Sequence, residues 1–231
     1  MTEKQPLKWH NEVLTVYNDD CMNIMAGYPD GYFDLAIVDP PYGIGEDGEK
    51  LKEYNSKPCE TWKTRKPKGY KQKSWDNSTP EQSYFTELIR VSKNQIIWGG
   101  NYFTDYLRPS GGWIVWDKQV VMPTFSDGEL AWASIKNNVK FVRLLWAGYR
   151  KCEQTDRIHP TQKPTKLYAW IYENYAAPGQ RILDTHLGSG SNAIAAHYAK
   201  MGEFVGVELD PDYFQASVER IKRETRQLSL F

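Results

Sequence analysis

The chain has 231 residues, room for one substantial α/β domain, and no linker rich in Pro, Gly and Ser divides it. Its 29 Lys and Arg balance 29 Asp and Glu, so the whole-molecule field recruits no polyanion and any such partner needs a local patch. The three cysteines (Cys21, Cys59, Cys152) form neither CxxC pairs nor a disulfide framework, no apolar run reaches transmembrane length, and the opening MTEKQPLKWHNE lacks a signal-peptide core. A disulfide-stapled secreted scaffold and a helical membrane protein are thereby excluded, and the expectation is a soluble cytoplasmic protein.

Short apolar runs alternating with helix-period segments predict an α/β fold with a mainly parallel sheet of about seven strands, covered on both faces. The first strand is VLTVY (13–17). The second is LAIVD (35–39), and it runs into the rigid sequence Asp39-Pro40-Pro41-Tyr42-Gly43. A basic loop, 46–76, follows. It has no apolar period and carries nine cations between Lys50 and Lys73 against Glu53 and Glu60. Thr79-Pro80-Glu81-Gln82 reads as a capping box with proline at the first helical position, ahead of Phe85, Leu88 and Ile89 at helical spacing. Strands QIIW (95–98), WIVWD (113–117) and FVRLLW (141–146) come next. Pro164 opens a helix bearing Leu167, Trp170, Ile171 and Tyr175, ended by Pro178-Gly179. RILD (181–184) and FVGVEL (204–209) are the last strands, and Asp210-Pro211 opens a final helix with Phe214, Val218 and Ile221 in register.

One long stretch has the order strand, glycine turn, helix: RILDTHLGSGSNAIAAHYAKMG. Asp184 ends the strand, Gly188 and Gly190 permit a tight turn, and a helix starting near Ser189 would present free N–H groups. Glu208 lies 24 positions beyond Asp184, a distance that suits hydrogen bonds to ribose hydroxyls. The turn is not a strict G-x-G-x-x-G fingerprint, and no phosphate-binding Gly-Lys-Ser/Thr loop exists. An acid ending the first strand would repel a pyrophosphate and suits a cationic amino-acid group better. Taken alone, the turn reads equally well as a device that packs helix on sheet.

Three elements in fixed order change that balance: DPPYG at 39–43, HPTQKP at 159–164 and ILDTHLGSGS at 182–191. Together they resemble the permuted class of DNA amino-methyltransferases, in which the catalytic motif precedes the cofactor motif. NDDCMNIMAGYPDGYFDLAIVDPPYG, WGGNYF and ELAW also look like phage-type and restriction-modification-type members. The resemblance implies a circularly permuted, Rossmann-like methyltransferase fold with S-adenosylmethionine as methyl donor. Carried over by motif, Asp184, His186, Gly188, Ser189 and Gly190 would lie by the methionine portion and Glu208 by the ribose. Asp20, beside Cys21, matches the acid at the adenine ring, with Asp19 the alternative if the register is off by one. His159, Thr161 and Lys163 would close the methionine end. The first motif more often reads Asp-Pro-Phe in the family, so Asp184-Thr185-His186 departs from it and any contact by the missing phenylalanine is in doubt. A catalytic role for His186 is not implied, since a lone histidine beside a cofactor loop more often packs or hydrogen-bonds. His10 and His197 read as structural or solvated, and no metal-ligand spacing is present.

The resemblance gives the DPPY motif a chemistry. An exocyclic amino group of adenine or cytosine is a poor nucleophile, because its lone pair is delocalised into the ring. Asp39 can accept one of its hydrogens and the carbonyl of Pro40 another, while Pro40 and Pro41 stiffen the chain and add no competing donor. Tyr42 offers a face on which an extruded base stacks. Asp-Pro-Pro-Tyr leans toward adenine-N6, whereas Ser-Pro-Pro-Tyr is commoner among cytosine-N4 enzymes. RNA methylation and a non-catalytic DNA-binding module that keeps the fold stand as alternatives, and the missing dinucleotide fingerprint disfavours a nicotinamide dehydrogenase.

Lys63, Arg65, Lys66, Lys68, Lys71 and Lys73, interleaved with Tyr54, Trp62, Tyr70 and Trp75, suit contact with double-stranded DNA. A target-recognition region is expected within 118–158. The tail, Gln227-Leu228-Ser229-Leu230-Phe231, resembles the bacterial sliding-clamp-binding peptide, with Gln227, Leu228, Leu230 and Phe231 as the docking residues. The expected organisation is one domain over 1–231, in a bacterial nucleoid or phage-infected cell, and compatible with a homodimer.

Overall fold

A computed structural model describes residues 7–45, 73, 75–120, 126–135, 138–147, 150–153 and 155–226. The expected tail residues Gln227, Leu228, Leu230 and Phe231, and the cations Lys63, Arg65, Lys66, Lys68 and Lys71, lie outside the described residues.

The strands are β1 (Leu7–His10), β2 (Leu14–Asn18), β3 (Leu35–Val38), β4 (Gln95–Trp98), β5 (Trp113–Asp117), β6 (Gly128–Ala133), β7 (Lys140–Arg143), β8 (Trp146–Ala147), β9 (Arg150–Lys151), β10 (Arg181–Asp184) and β11 (Glu203–Glu208). Helices are α1 (Cys21–Ala26), α2 (Gln82–Val91), α3 (Thr165–Tyr175), α4 (Ser191–Tyr198) and α5 (Pro211–Thr225), with a 3₁₀ turn at Gly100–Tyr102. Nine strands form the main sheet in the order β1-β2-β11-β10-β3-β4-β6-β5-β7, and β8 pairs with β9 as a separate hairpin.

The five strands β2, β11, β10, β3 and β4 are mutually parallel, so their carboxyl ends share one edge. β3 and β4 are buried at every position, as a parallel strand covered on both faces must be. Leu35, Ile37, Ile96, Trp98 and Ile182 face α3, α4 and α5. Ala36, Val38, Ile97 and Leu183 face α1 and α2 through Met25, Phe85, Leu88 and Val91. β10 leads through α4 to β11 on one side, and β3 leads toward β4 on the other. That divergence opens a crevice at the carboxyl ends of β10 and β3, where open α/β sheets bind ligands.

The sheet exceeds the expected seven strands. β1 is an edge strand with Leu7 63 % exposed, so it has no apolar run to read. β6 hides its signal behind Gly128 and Glu129, and it lies antiparallel to both β4 and β5. The run 141–146 is not one strand. Its first part joins the sheet as β7, while Trp146 turns away to pair with Lys151 and donates its indole N–H to the Gln162 carbonyl. Residues 128–133 and 140–143 are thus part of the sheet, which shortens the span 118–158 available for anything else.

The expected capping box is also corrected. α2 begins at Gln82 with Glu81 as its cap, and no side chain caps it. Ser78 and Thr79 instead lie against Gly43, whose missing side chain admits the Thr79 backbone. Asp210 does cap α5, accepting from the N–H groups of Asp212 and Tyr213, with Pro211 opening the helix. α4 begins at Ser191, after Gly190 at φ +76°, two residues later than expected. From α5 the buried Arg220 reaches back to this turn. It donates to the Ser189 carbonyl and the hydroxyls of Ser191 and Thr165, tying the glycine turn to α3 and α5.

No helix among the described residues is long and apolar enough to cross a membrane.

Candidate active site

Four strand ends deliver acids to one edge of the sheet: Asp19 and Asp20 after β2, Asp39 after β3, Asp184 closing β10 and Glu208 closing β11. Two clefts meet there. The larger, about 750 Å³, takes in Asp20, Asp39, Asp184's neighbours Thr185 and His186, Gly188 and Glu208. The smaller, about 380 Å³, is walled by Tyr42, Tyr102, Trp116, Glu129 and Trp146. Asp39, Pro41, Thr161 and Lys163 border both.

At the junction, Tyr42 Oη donates to Asp39 Oδ1 at 2.7 Å, and Lys163 Nζ donates to Asp39 Oδ2 at 2.5 Å. The same ammonium is 3.0 Å from Glu129 Oε2, and Lys118 Nζ is 2.6 Å from Glu129 Oε1. Burial pushes the Asp39 carboxyl up, and the Lys163 ammonium only partly offsets this, so it stands above the ordinary carboxylate range. Glu129 differs. Burial raises it too, but the ammoniums of Lys163 and Lys118 outweigh burial and bring it down to about 2. Lys163 stays protonated because Asp39 and Glu129 together overcome its desolvation.

Tyr42 has its place because Gly99 has no side chain. At φ +68°, a Cβ there would sit 2.2 Å from Tyr42 Cε1. Tyr102 stacks on the Tyr42 ring with centroids 5.0 Å apart and planes 15° apart, and it is itself 46 % exposed.

Buried beside the larger cleft, Asp184 accepts from the His186 N–H at 3.1 Å and from Asn192 Nδ2 at 2.9 Å. Asn192 also donates to the Ile37 carbonyl and accepts from Tyr172 Oη, so one side chain on α4 joins β3, β10 and α3. Glu208 accepts from the N–H groups of Gly188 and Asp210. Burial raises both acids to about 7, against these hydrogen bonds. Asp20 caps α1 through Met22 N–H, while Asp19 accepts from Asp20 N–H and Asn23 Nδ2. Burial, with Asp20 adding to it, pushes the Cys21 thiol up to about 12, so Cys21 lines the cleft as a neutral group.

The two histidines are neutral. Burial takes His159 down to about 3, and its ring packs edge-on against Tyr213 at 4.3 Å while Nδ1 meets Thr161 Oγ1. Burial takes His186 to about 4, beside Thr185 Oγ1 and the Tyr84 ring. Ser189 Oγ meets Ser191 Oγ at 3.1 Å. Among the described residues no group of His, Cys, Asp and Glu is arranged to hold a metal ion.

Two of the expected residues make ion pairs that their motifs do not reveal. Lys73, expected to contact DNA, has Nζ 2.6 Å from Asp210 Oδ2 and 3.1 Å from Asp212 Oδ2, over the Tyr213 ring at the rim of the larger cleft. The acids at the start of α5 attract it there. Lys163, expected at the methionine end, lies where the clefts meet with its charge on Asp39. Glu129, Lys118, Asn192 and Gly99 are absent from the sequence-based set. Only Glu129 carried a signal, as an acid inside an apolar strand.

The larger cleft suits a ligand with a cationic amino acid at one end and a nucleoside at the other. Acids stand at the strand ends, and the positive-φ glycine turn presents backbone N–H groups before α4. S-adenosylmethionine has that layout.

Fold and edge together define an S-adenosylmethionine-dependent methyltransferase fold. A TM-score of 0.56 relates the chain to the M1.HpyAVI complex with this cofactor, at 18 % identity over 90 % of this chain and all of that one. The PvuII cytosine-N4-specific DNA methyltransferase gives 0.61, at 12 % identity over 97 % and 95 % of the two chains. Residues 116–219 match the family model described as DNA methylase. Type II methyltransferase M.BglII of Bacillus subtilis is 24 % identical over 90 % of this chain and 69 % of its own, and the putative methylase YubD of Escherichia coli (strain K12) is 22 % identical over 90 % of each. Residues 116–219 thus resemble a DNA methylase over just under half of the chain, and the fold is that of the S-adenosylmethionine-dependent DNA methyltransferases it is similar to.

Proposed function

We propose that the chain is an N6/N4-type DNA methyltransferase that uses S-adenosylmethionine to methylate the exocyclic N6 of an adenine flipped out of duplex DNA. The observation that carries the reading is the meeting of the two clefts at Asp39, which gives one acid access to both a cofactor and a base. When bound, S-adenosylmethionine supplies an electrophilic methyl group. The chain's part is to hold and orient. Asp39 accepts one amino hydrogen and the Pro40 carbonyl accepts the second, which favours a pyramidal nitrogen with its lone pair exposed. Pro41 keeps that carbonyl in place, and Tyr42 gives the base a stacking surface in the smaller cleft, whose volume suits a single nucleobase. Tyr102, exposed and stacked on Tyr42, must shift when the base takes that face.

On the cofactor side, Asp184 and the Gly188–Ser189–Gly190 turn receive the amino-acid end, Glu208 the ribose, and Asp20 or Asp19 the adenine amino group. His159 packs beside the pocket and Thr161 closes it. Because Asp184 and Glu208 both stand near 7 without ligand, a bound cation favours their ionised forms. Cofactor binding at pH 6.5 should therefore release protons, and affinity should rise from pH 6 toward 8 before levelling off. Calorimetry in buffers of different ionisation enthalpy checks this. An enthalpy that does not depend on the buffer would contradict it. The same raised values mean that the stability these groups lend is fully present below the unfolded carboxylate pKa. It is lost as pH rises through about 7.

A second reading, cytosine-N4, is favoured by the likeness to the PvuII enzyme. Asp39 beside the prolines supports adenine through the motif alone. Nucleoside mass spectrometry of mixed-sequence duplex DNA after reaction separates the two readings. N6-methyladenine is expected, and N4-methylcytosine overturns the base assignment.

The basic loop is proposed to contact DNA, and the tail Gln227–Phe231 to recruit the enzyme to a sliding clamp in the cytoplasm. Deleting 227–231 should abolish clamp pull-down and leave methylation of short duplexes intact. Clamp binding by the truncated chain would refute recruitment.

A further inference from the structure

The motif reading leaves Glu129 and Lys118 without a task, yet they are joined to Asp39 through one buried ammonium. Lys163 is 4 % exposed and lies between two carboxylates, 2.5 Å from Asp39 Oδ2 and 3.0 Å from Glu129 Oε2. The two contacts differ in kind. That to Asp39 is an aligned hydrogen bond, whereas no donor among the described residues is aligned on the buried Glu129 Oε2. Glu129 therefore holds Lys163 chiefly by charge, through the longer and less well aligned of the two contacts. Lys118 anchors the other oxygen of Glu129 at 2.6 Å, so that carboxylate cannot swing away.

We propose that Glu129 is a positioning residue for methyl transfer. It divides the charge of Lys163 between two acids, so that Lys163 aims the Asp39 carboxylate without saturating it. The inference rests on the reading of Asp39 as the acceptor of the amino group. A carboxylate fully paired to an ammonium in a buried site is a weak acceptor for a neutral amino group, because the cation claims its electron density. A carboxylate with no cation nearby would take up a proton in the same surroundings and lose its acceptor role. Holding one ammonium between Asp39 and Glu129 avoids both extremes. Charge balance agrees: Asp39, Lys163, Glu129 and Lys118 form an alternating row that sums to zero. The amino proton released on methylation can pass to Asp39, which Tyr42 Oη and Lys163 continue to hold in place.

The groups facing Asp39 are Tyr42 in its own segment, Lys163 ahead of α3, Tyr168 on α3, Glu129 on β6, Asp184 on β10 and Tyr84 on α2. Of these only Lys163 is cationic, so changing its partner should be read directly at Asp39.

The test is the acid limb of the kcat–pH profile at saturating cofactor and DNA, where activity falls as Asp39 takes up a proton. Glu129→Gln leaves Lys163 wholly to Asp39, and the limb should move to lower pH by about one unit, with kcat reduced about tenfold at the optimum and KM for both substrates little changed. Lys163→Met removes the cation, and the limb should move to higher pH. Glu129→Asp keeps the charge and should keep the limb near its original position. Opposite shifts support the inference, since a merely structural loss would not move the limb in opposite directions. A limb that stays put in Glu129→Gln, or moves the same way in both variants, overturns it. If Glu129→Gln fails to bind S-adenosylmethionine, Lys163→Met and Glu129→Asp decide: a higher limb in the first and an unmoved one in the second support the inference, and any other pair of results overturns it. Asp39→Asn distinguishes the underlying reading. An Asp39→Asn enzyme with undiminished activity refutes the role of Asp39 itself, whereas an inactive one alongside an unmoved Glu129→Gln limb refutes only the role of Glu129.

Discussion

Replacing Asp39 by Asn lowers kcat by two to four orders of magnitude, while S-adenosylmethionine affinity stays within a few-fold of the parent. The size follows from what the change removes. Asn presents one carbonyl oxygen where Asp presents two, and it cannot take up the proton that leaves the amino group. Losing one well-placed polar group at a reacting centre costs about 10²–10³ in rate, and losing a proton acceptor about 10²–10⁴. Affinity is spared because the glycine turn, Asp184 and Glu208 lie on other strands and keep their own hydrogen bonds. The buried Lys163 keeps Glu129 as a counter-charge, so the variant retains a partner for its ammonium. Steady-state rates, with cofactor affinity from isothermal titration, separate the two effects.

The second large effect is on folding. Asn192→Ala should destabilise the protein by about 3–5 kcal/mol, since it strands three buried partners at about 1–3 kcal/mol each, with partial relaxation. Those partners are the Ile37 carbonyl, Asp184 Oδ2 and Tyr172 Oη. The Asn192 hydrogen bond is also one of the contacts that hold Asp184 down against burial. Without it the Asp184 carboxyl rises further, and cofactor affinity at neutral pH should fall more than affinity at pH 8.5. Urea denaturation gives the first quantity and titration at the two pH values gives the second. A variant as stable as the parent would mean that solvent reaches the three partners.

The sequence shows the acids of the edge and hides what supports them, for a physical reason. Asp39, Asp184 and Glu208 each close an apolar run, so strand ending and chemistry are legible in a few consecutive residues. Gly188 and Gly190 announce a turn for the same local reason, and both do adopt positive φ. The partners act across long separations. Lys163 reaches Asp39 over 124 positions, and Asn192 reaches Ile37 over 155. No local pattern encodes such meetings, and they exist only because β3 and β10 are neighbours in the sheet. Gly99 is similar, since its need for φ +68° comes from a tyrosine ring 57 positions away (99 − 42). The strands β1 and β6 lack a legible apolar run, because one is an exposed edge and the other opens on polar residues, one of which, Glu129, carries a charge in the site.

The ammonium between Asp39 and Glu129 also explains why a positive residue sits in a site that must admit a cationic cofactor. Its charge is matched by two acids before any ligand arrives, and Lys118 supplies the balance for the second. On the side of the larger cleft, Asp19, Asp20, Asp184 and Glu208 accept their hydrogen bonds from amide groups, with no cation in hydrogen-bonding contact among the described residues. The arrangement directs a positively charged ligand toward β10 and β11 and leaves the β3 end for the base.

The most direct test of the account is a single-turnover reaction with labelled S-adenosylmethionine and mixed-sequence duplex DNA, run in parallel on the parent and Asp39→Ala, with the methylated nucleoside identified by mass spectrometry. The parent reaction should place a methyl group on the exocyclic amino nitrogen of a base and the variant reaction none above background, although both proteins bind the cofactor. Methylation of a ring carbon, or equal yield from Asp39→Ala, would contradict the account.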